Sequence, residues 1–146
     1  MKKVLLGSLI AAGRKGITPE QYQLHSAISL LQDDIEDSSS IEDDQGYSYR
    51  PYIKGTYSDE LQKDLDLLGI LGGVNVLEGS RIYDPVVPFI EDLYAESVRD
   101  ERQRNEEQER ISKIIVPLLE MSIDSLFDKA YTSLNDLLGR RFDVGA

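Results

Sequence analysis

Apolar positions along this chain recur at spacings that mark out its elements before any residue is considered for chemistry. Val4 to Ala12 is a nearly unbroken apolar run that predicts a helix over about 3 to 12, with Leu5, Leu9 and Ala12 on one side and a break at Gly13 to Gly16. Thr18-Pro19-Glu20-Gln21 predicts the start of a second helix, with Thr18 as N-cap, Pro19 in the first turn and Gln21 as capping-box partner. The buried face of that helix is expected to be Leu24, Ala27, Ile28 and Leu31. Residues 33–46 then lose periodicity and become rich in Ser and Asp, which predicts an exposed acidic loop.

The next signals are sharper. Ser58 is a good N-cap, Asp59 and Glu60 sit where the positive end of a helix dipole favours carboxylates, and Leu61, Leu65 and Leu68, with Leu67 and Leu71 beside them, give one apolar face. Gly72-Gly73 supplies the left-handed backbone that ends a helix. Val74 and Val76 on one side of Glu78-Gly79-Ser80, and Ile82 and Tyr83 on the other, predict a β-hairpin. A recognition-type helix followed directly by a hairpin predicts a winged-helix-like domain.

From Pro88 the positions Phe89, Ile90, Leu93, Tyr94 and Val98 begin a helical pattern that runs into the charged stretch Arg99 to Arg110. That stretch carries acid-before-base pairs four apart and is expected to be helical and solvated. A broad apolar stripe follows, with Pro117 predicted to kink it or to open a separate helix. So wide a stripe needs cover, either the first domain or the same stripe of a second copy, and Ile111, Ile115, Leu118, Leu126 and Leu134 are the expected dimer interface. The expected fold class is mainly α with a small β-hairpin. A winged-helix-like domain over 1–87, carrying the acidic loop 33–46, precedes a C-terminal helical region over 88–146 that serves dimerisation or packing.

Composition narrows the functional classes. With 146 residues, 40% hydrophobic and 29% charged, the chain is long enough to bury a core. The absence of cysteine excludes disulfides, thiolate nucleophiles and thiolate metal sites, and with it we expect a cytoplasmic protein. Lys2-Lys3 ahead of the first apolar run superficially fits a signal peptide, but Arg14-Lys15 is a poor sequel to a cleavage site and the stretch reads as a core helix. No run approaches the roughly 20 apolar residues of a membrane span.

The net charge of −11, from 27 acids against 16 bases, repels a polyanion and suits a protein partner with a basic surface. The would-be reading helix itself is acidic, with Asp59, Glu60, Asp64 and Asp66 against a lone Lys63. Those four acids, with Tyr47 and Tyr49, are the candidate protein contacts. The alternative is a dimeric DNA-binding regulator that would use Lys2, Lys3, Arg14, Lys15, Arg50, Lys54 and Arg81. No phosphate-cradling glycine motif occurs, and the single histidine, His25, has no cysteine or evident acid to work with, so neither catalysis, cofactor nor metal is expected. Tyr47, Tyr49, Tyr52 and Tyr57 crowd around Arg50 and Lys54, where packing is a better reading than stacking on unpaired bases, and Tyr52 and Tyr57 are the two expected to be buried.

The run Tyr49-x-Pro51-Tyr52-x-x-Gly55-x-Tyr57-Ser58-x-x-Leu61-x-x-Asp64-Leu65-x-x-Leu68 resembles a motif of the YwgA-like proteins and the Panacea-type antitoxin domain, in which an aromatic precedes Pro-Tyr-x-x-Gly-Pro-Tyr-Ser and a Leu-rich helix. The resemblance covers about residues 1–83 and departs at Thr56, where those families commonly have Pro, in the acidic insertion and in the C-terminal helices. It implies a winged-helix-like α+β domain used for regulation and protein contact, including toxin neutralisation in some members, without an established catalytic site.

Overall fold

A computed structural model describes residues 1–38, 46–77, 79 and 81–143, with 36–38 and 139–143 described by their backbone. The chain is mainly helical with two small antiparallel hairpins. The helices are α1 (Lys3–Arg14), α2 (Gln21–Ser38), α3 (Asp59–Leu71), α4 (Val87–Ser97), α5 (Glu101–Glu120) and α6 (Ile123–Asp143), and the strands are β1 (Arg50–Tyr52), β2 (Gly55–Tyr57), β3 (Val74–Val76) and β4 (Tyr83–Pro85).

α1 is the centre. Every residue from Val4 to Ala12 is buried, not one side only, because α2, α4, α5 and β4 all pack around it. A helix apolar on all sides is stable only when covered on all sides. α2 buries Leu24, Ala27, Ile28 and Leu31 as the periodicity predicts, but it starts later and ends later than predicted. Pro19 is held extended because its carbonyl accepts from Tyr83 N–H, and the Arg81 carbonyl accepts from Gln21 N–H. Glu20 therefore opens the helix, its carboxylate accepting from Gln23 N–H while the Gln23 amide oxygen accepts from Glu20 N–H. At its far end α2 continues through Asp33 and Asp34 to Ser38, so the predicted acidic loop begins as helix. Ser133 Oγ donates to Asp33 there, tying α6 to α2. Residues 39–45 of that loop lie outside the described residues, as do Glu78 and Ser80 of the predicted hairpin turn.

α3 is built as its caps dictate. Ser58 Oγ accepts from Leu61 N–H, Gly72 adopts the left-handed conformation at φ 89°, and Leu61, Leu65 and Leu68 are fully buried. Leu67 and Leu71, expected beside that face, are exposed instead. β3 and β4 pair in the register Val74↔Pro85 and Val76↔Tyr83 immediately after it. The tyrosine-rich segment ahead of α3 is itself a hairpin in the register Arg50↔Tyr57 and Tyr52↔Gly55. Its three-residue strands are too short to show an alternation. α2 staples it through Ser26 Oγ, which accepts from Thr56 N–H and donates to the Lys54 carbonyl, and α6 covers its other side.

The pattern from Pro88 divides at Val98, because Asp100 caps a new helix by accepting from Arg102 and Gln103 N–H. α5 runs through Pro117, and the next break falls at Met121 rather than at the proline. The apolar stripe folds back onto the rest of the chain. Ile111, Ile115 and Leu126 are fully buried, Leu118 and Leu134 nearly so, and all but Leu134 belong to one core cluster with α1, α2 and α3. Gln108 donates its amide to the Gly7 carbonyl and Gln23 donates to the Leu119 carbonyl, fixing α5 over α1 and α2. These five residues are therefore committed to packing within the chain and are not offered to a second copy, which corrects the expected interface. An intramolecular cover was available to the stripe, and it sits at far higher effective concentration than another molecule.

Candidate functional site

Behind the N-terminus of α3 lies a buried polar network centred on Gln62. His25 is fully buried, and its Nδ1 accepts from Ser58 N–H at 3.0 Å, so the neutral ring carries its proton on Nε2. That proton points at Gln62 Oε1, 3.0 Å away, which also accepts from the Gln21 amide at 2.8 Å. The Gln62 amide nitrogen donates in turn to Asp66 Oδ1 and to the Tyr83 hydroxyl. Each donor meets an acceptor, which fixes the orientation of the amide and the tautomer of the imidazole together. His25 is thus a strut and has no free nitrogen for chemistry.

Burial holds the His25 pKa below the ordinary imidazole value, against an opposing contribution from the Gln62 hydrogen bond. The folded chain keeps the ring neutral where the unfolded chain protonates it, so the associated stability is present above the unfolded pKa of about 6.5 and is lost as pH falls below it. This group alone is expected to lower the unfolding free energy with a slope of up to about 1.4 kcal/mol per pH unit below about pH 6.5, levelling once the folded ring protonates. Urea titrations between pH 7 and 5 read the slope, and NMR of the lone histidine reads the depressed pKa directly.

In front of the network the β1–β2 hairpin and the start of α2 bring together Tyr22, Tyr52 and Tyr57, all half-buried. Tyr22 and Tyr52 stack with ring centres 5.4 Å apart, Tyr52 and Tyr57 lie 5.5 Å apart, and Tyr57 stacks on His25 at 4.4 Å. The Arg50 guanidinium lies 5.2 Å over Tyr57 and the Lys54 ammonium 4.5 Å over Tyr22. These rings, with Glu20, Gln21, Arg50, Asp59, Gly79 and Arg81, line an open groove of about 650 Å³. The burial expected for Tyr52 and Tyr57 belongs instead to Tyr47. Its ring is buried, its hydroxyl donates to Asp64 at 2.6 Å, and the Gln32 amide clamps its backbone N–H and carbonyl. Tyr49 donates to Gln32 as well, and burial raises the pKa of both phenols well above the ordinary value.

A second groove, of about 560 Å³, runs between α3 and β3 and is lined by Asp66, Gly69, Ile70, Val76, Arg81 and Tyr83 among others. Val76 leans over Gly69, which lies on its floor, and Ile70 stands 83% exposed at its side. Leu67, Leu71, Val76 and Leu77 extend this exposed apolar face. Arg81 lines both grooves.

Of the candidate protein contacts, Asp59, Glu60 and Asp66 are exposed on α3, with Asp66 also accepting from Gln62 and Asp59 from Arg50, whereas Tyr47, Tyr49 and Asp64 are drawn inward by the chain's own hydrogen bonds. Of the candidate DNA contacts, Arg50, Lys54 and Arg81 gather at the tyrosine groove; Lys2 lies over the Tyr47 ring, Arg14 pairs with Glu91, Lys3 is half-buried and Lys15 exposed. Sequence reasoning passed over Tyr22, Gln62 and Ile70; the one signal for Ile70 was its place beyond the i, i+4, i+7 leucine row. Among the described residues there is no cluster of metal-ligating side chains, and no helix is long and apolar enough to cross a membrane. Comparison with known protein families, curated proteins and solved structures finds no match.

Proposed function

We propose that this protein is a non-enzymatic, regulatory interaction module that grips a partner protein through α3 and the β3–β4 hairpin, used as the recognition helix and wing of a winged-helix-like reader. The observation that carries this reading is the exposed apolar face of Leu67, Ile70, Leu71, Val76 and Leu77 beside a groove, with the carboxylates of Asp59, Glu60 and Asp66 on the same helix. An apolar centre with a charged rim is the anatomy of a protein interface. Its occupant is a segment of another protein that presents apolar side chains flanked by Lys or Arg, since the rim on α3 is acidic and the chain carries −11 overall. The antitoxin-like resemblance supplies one biological setting for such a contact.

The reading as a DNA-binding regulator is weaker, because the cations it needs are dispersed over separate parts of the surface and the front of α3 presents acids to phosphates. Chemical cross-linking followed by mass spectrometry tests the docking face, since Lys63 is an exposed amine on α3 itself. The captured partner is expected to cross-link to Lys63, and Ile70→Asp is expected to weaken its binding about tenfold or more, from the loss of a buried apolar anchor. Cross-links that map elsewhere with unchanged binding of Ile70→Asp would sink the proposal. So would nanomolar, sequence-selective affinity for duplex DNA at about 150 mM salt, where exposed charges are screened beyond about 8 Å.

A further inference from the structure

The tyrosine groove shares Arg81 and the Asp59 carboxylate with that docking face but has a chemistry of its own. Its three rings offer flat apolar surface, Arg81 is exposed and makes no ion pair among the described residues, and the ion pair of Arg50 there is a long exposed contact of 3.5 Å with Asp59. Glu20 and Asp59 add carboxylates that accept from hydroxyl or amino groups. Flat rings, guanidiniums and carboxylates lining one groove form a combination that few ligand classes match.

We propose that the groove binds a nucleoside phosphate, with the base on the tyrosine rings, the phosphate on Arg81 and Arg50, and sugar or base donors on Asp59 and Glu20. Cations already rest on two of the rings, Arg50 over Tyr57 and Lys54 over Tyr22. At an exposed site such contacts are weaker than stacking of a base on an aromatic side chain. An entering base displaces them, and the released cations then face its phosphate. With Arg50, Arg81 and Lys54 set against Glu20 and Asp59, the groove keeps one positive charge in excess, which favours an anion over a cation. A long nucleic-acid strand would extend beyond this local patch onto a surface with a net charge of −11, whereas a mononucleotide stays inside it. The volume of about 650 Å³ falls in the range of ordinary small-ligand sites.

Titration calorimetry with adenosine, guanosine, cytidine and uridine monophosphates tests this on the full chain. At least one is expected to bind saturably, the corresponding nucleoside and inorganic phosphate each about tenfold or more weaker, and Arg81→Gln to weaken the mononucleotide by a similar factor. Tyr52→Ala is expected to do the same through stacking, with circular dichroism melting to establish that it folds, while Lys15→Gln, an exposed cation outside the groove, leaves affinity unchanged. Failure of all four mononucleotides to saturate at millimolar concentration overturns the assignment, as does equal binding by Arg81→Gln or by the nucleoside. A single-stranded oligonucleotide that binds more than about tenfold tighter than any mononucleotide also overturns it, in favour of a strand-binding surface. Binding of a mononucleotide and capture of the protein partner are read by different probes, so either proposal can fail alone.

Discussion

Gly55→Ala is expected to destabilise the protein by about 2–5 kcal/mol, seen as a lower urea midpoint at unchanged slope. Two separate costs combine at this glycine. Its φ of +92° lies in the region that L side chains rarely adopt, and an added Cβ would run into Ser26 Oγ while standing 3.2 and 3.3 Å from the Phe127 Cα and carbonyl oxygen. The Ser26 hydroxyl can rotate away, but only by giving up the bonds that staple the β1–β2 hairpin to α2. Phe127 cannot, because the obstruction is the backbone of α6. Gly72 provides the comparison, since its φ of +89° is nearly the same and nothing lies within 4 Å of an added Cβ. Gly72→Ala should therefore cost only the conformational part, about 1–2 kcal/mol. Equal losses at the two positions would show that α6 does not press on the hairpin as described.

Gln62→Leu is expected to cost about 2–5 kcal/mol despite the similar size of the two side chains, because it strands the donors of His25 and Gln21 in a buried site. The imidazole cannot turn to find another partner while its Nδ1 holds Ser58 N–H. Gln62→Glu separates the acceptor role from the donor role. It keeps oxygen toward His25 and Gln21 but places a carboxylate against Asp66, and the new negative charge favours the protonated imidazole. In that variant the His25 pKa should move upward and the loss of stability below about pH 6.5 should diminish. Denaturant titrations at two pH values, together with the histidine NMR signal, check both outcomes. A Gln62→Leu protein as stable as the parent would mean that the network contributes nothing.

What was legible in the sequence was what lies within a few residues of its cause. Ser58 caps a helix that begins one residue later, Leu61, Leu65 and Leu68 share a face by spacing alone, and Gly72 ends the helix by its own backbone freedom. The Gln62 network was not legible, because Gln21, His25 and Tyr83 lie 41, 37 and 21 residues away from it. The start of α2 was misplaced for a similar reason. The capping signals at Thr18 and Pro19 are sound in isolation, but pairing with Arg81 to Tyr83 holds that segment extended. The tyrosine groove was half visible, since Tyr52, Tyr57, Arg50 and Lys54 are neighbours in the chain, while Tyr22 and Arg81 reach it only through the fold. Similarly, the leucine spacing located the buried side of α3 but not the end of the helix at which apolar residues come to the surface.

The enclosure of α1 has a consequence for how the protein is made. Its apolar run leaves the ribosome ahead of the helices that cover it, and Gly7 meets its Gln108 partner only 101 residues later. At elongation rates of about 5–20 residues per second that interval lasts about 5–20 s. Through most of it the nascent chain displays Val4 to Ala12 before α4 and α5 are made to cover them. A segment buried on every side in the finished molecule is thus open to chaperones for seconds during synthesis.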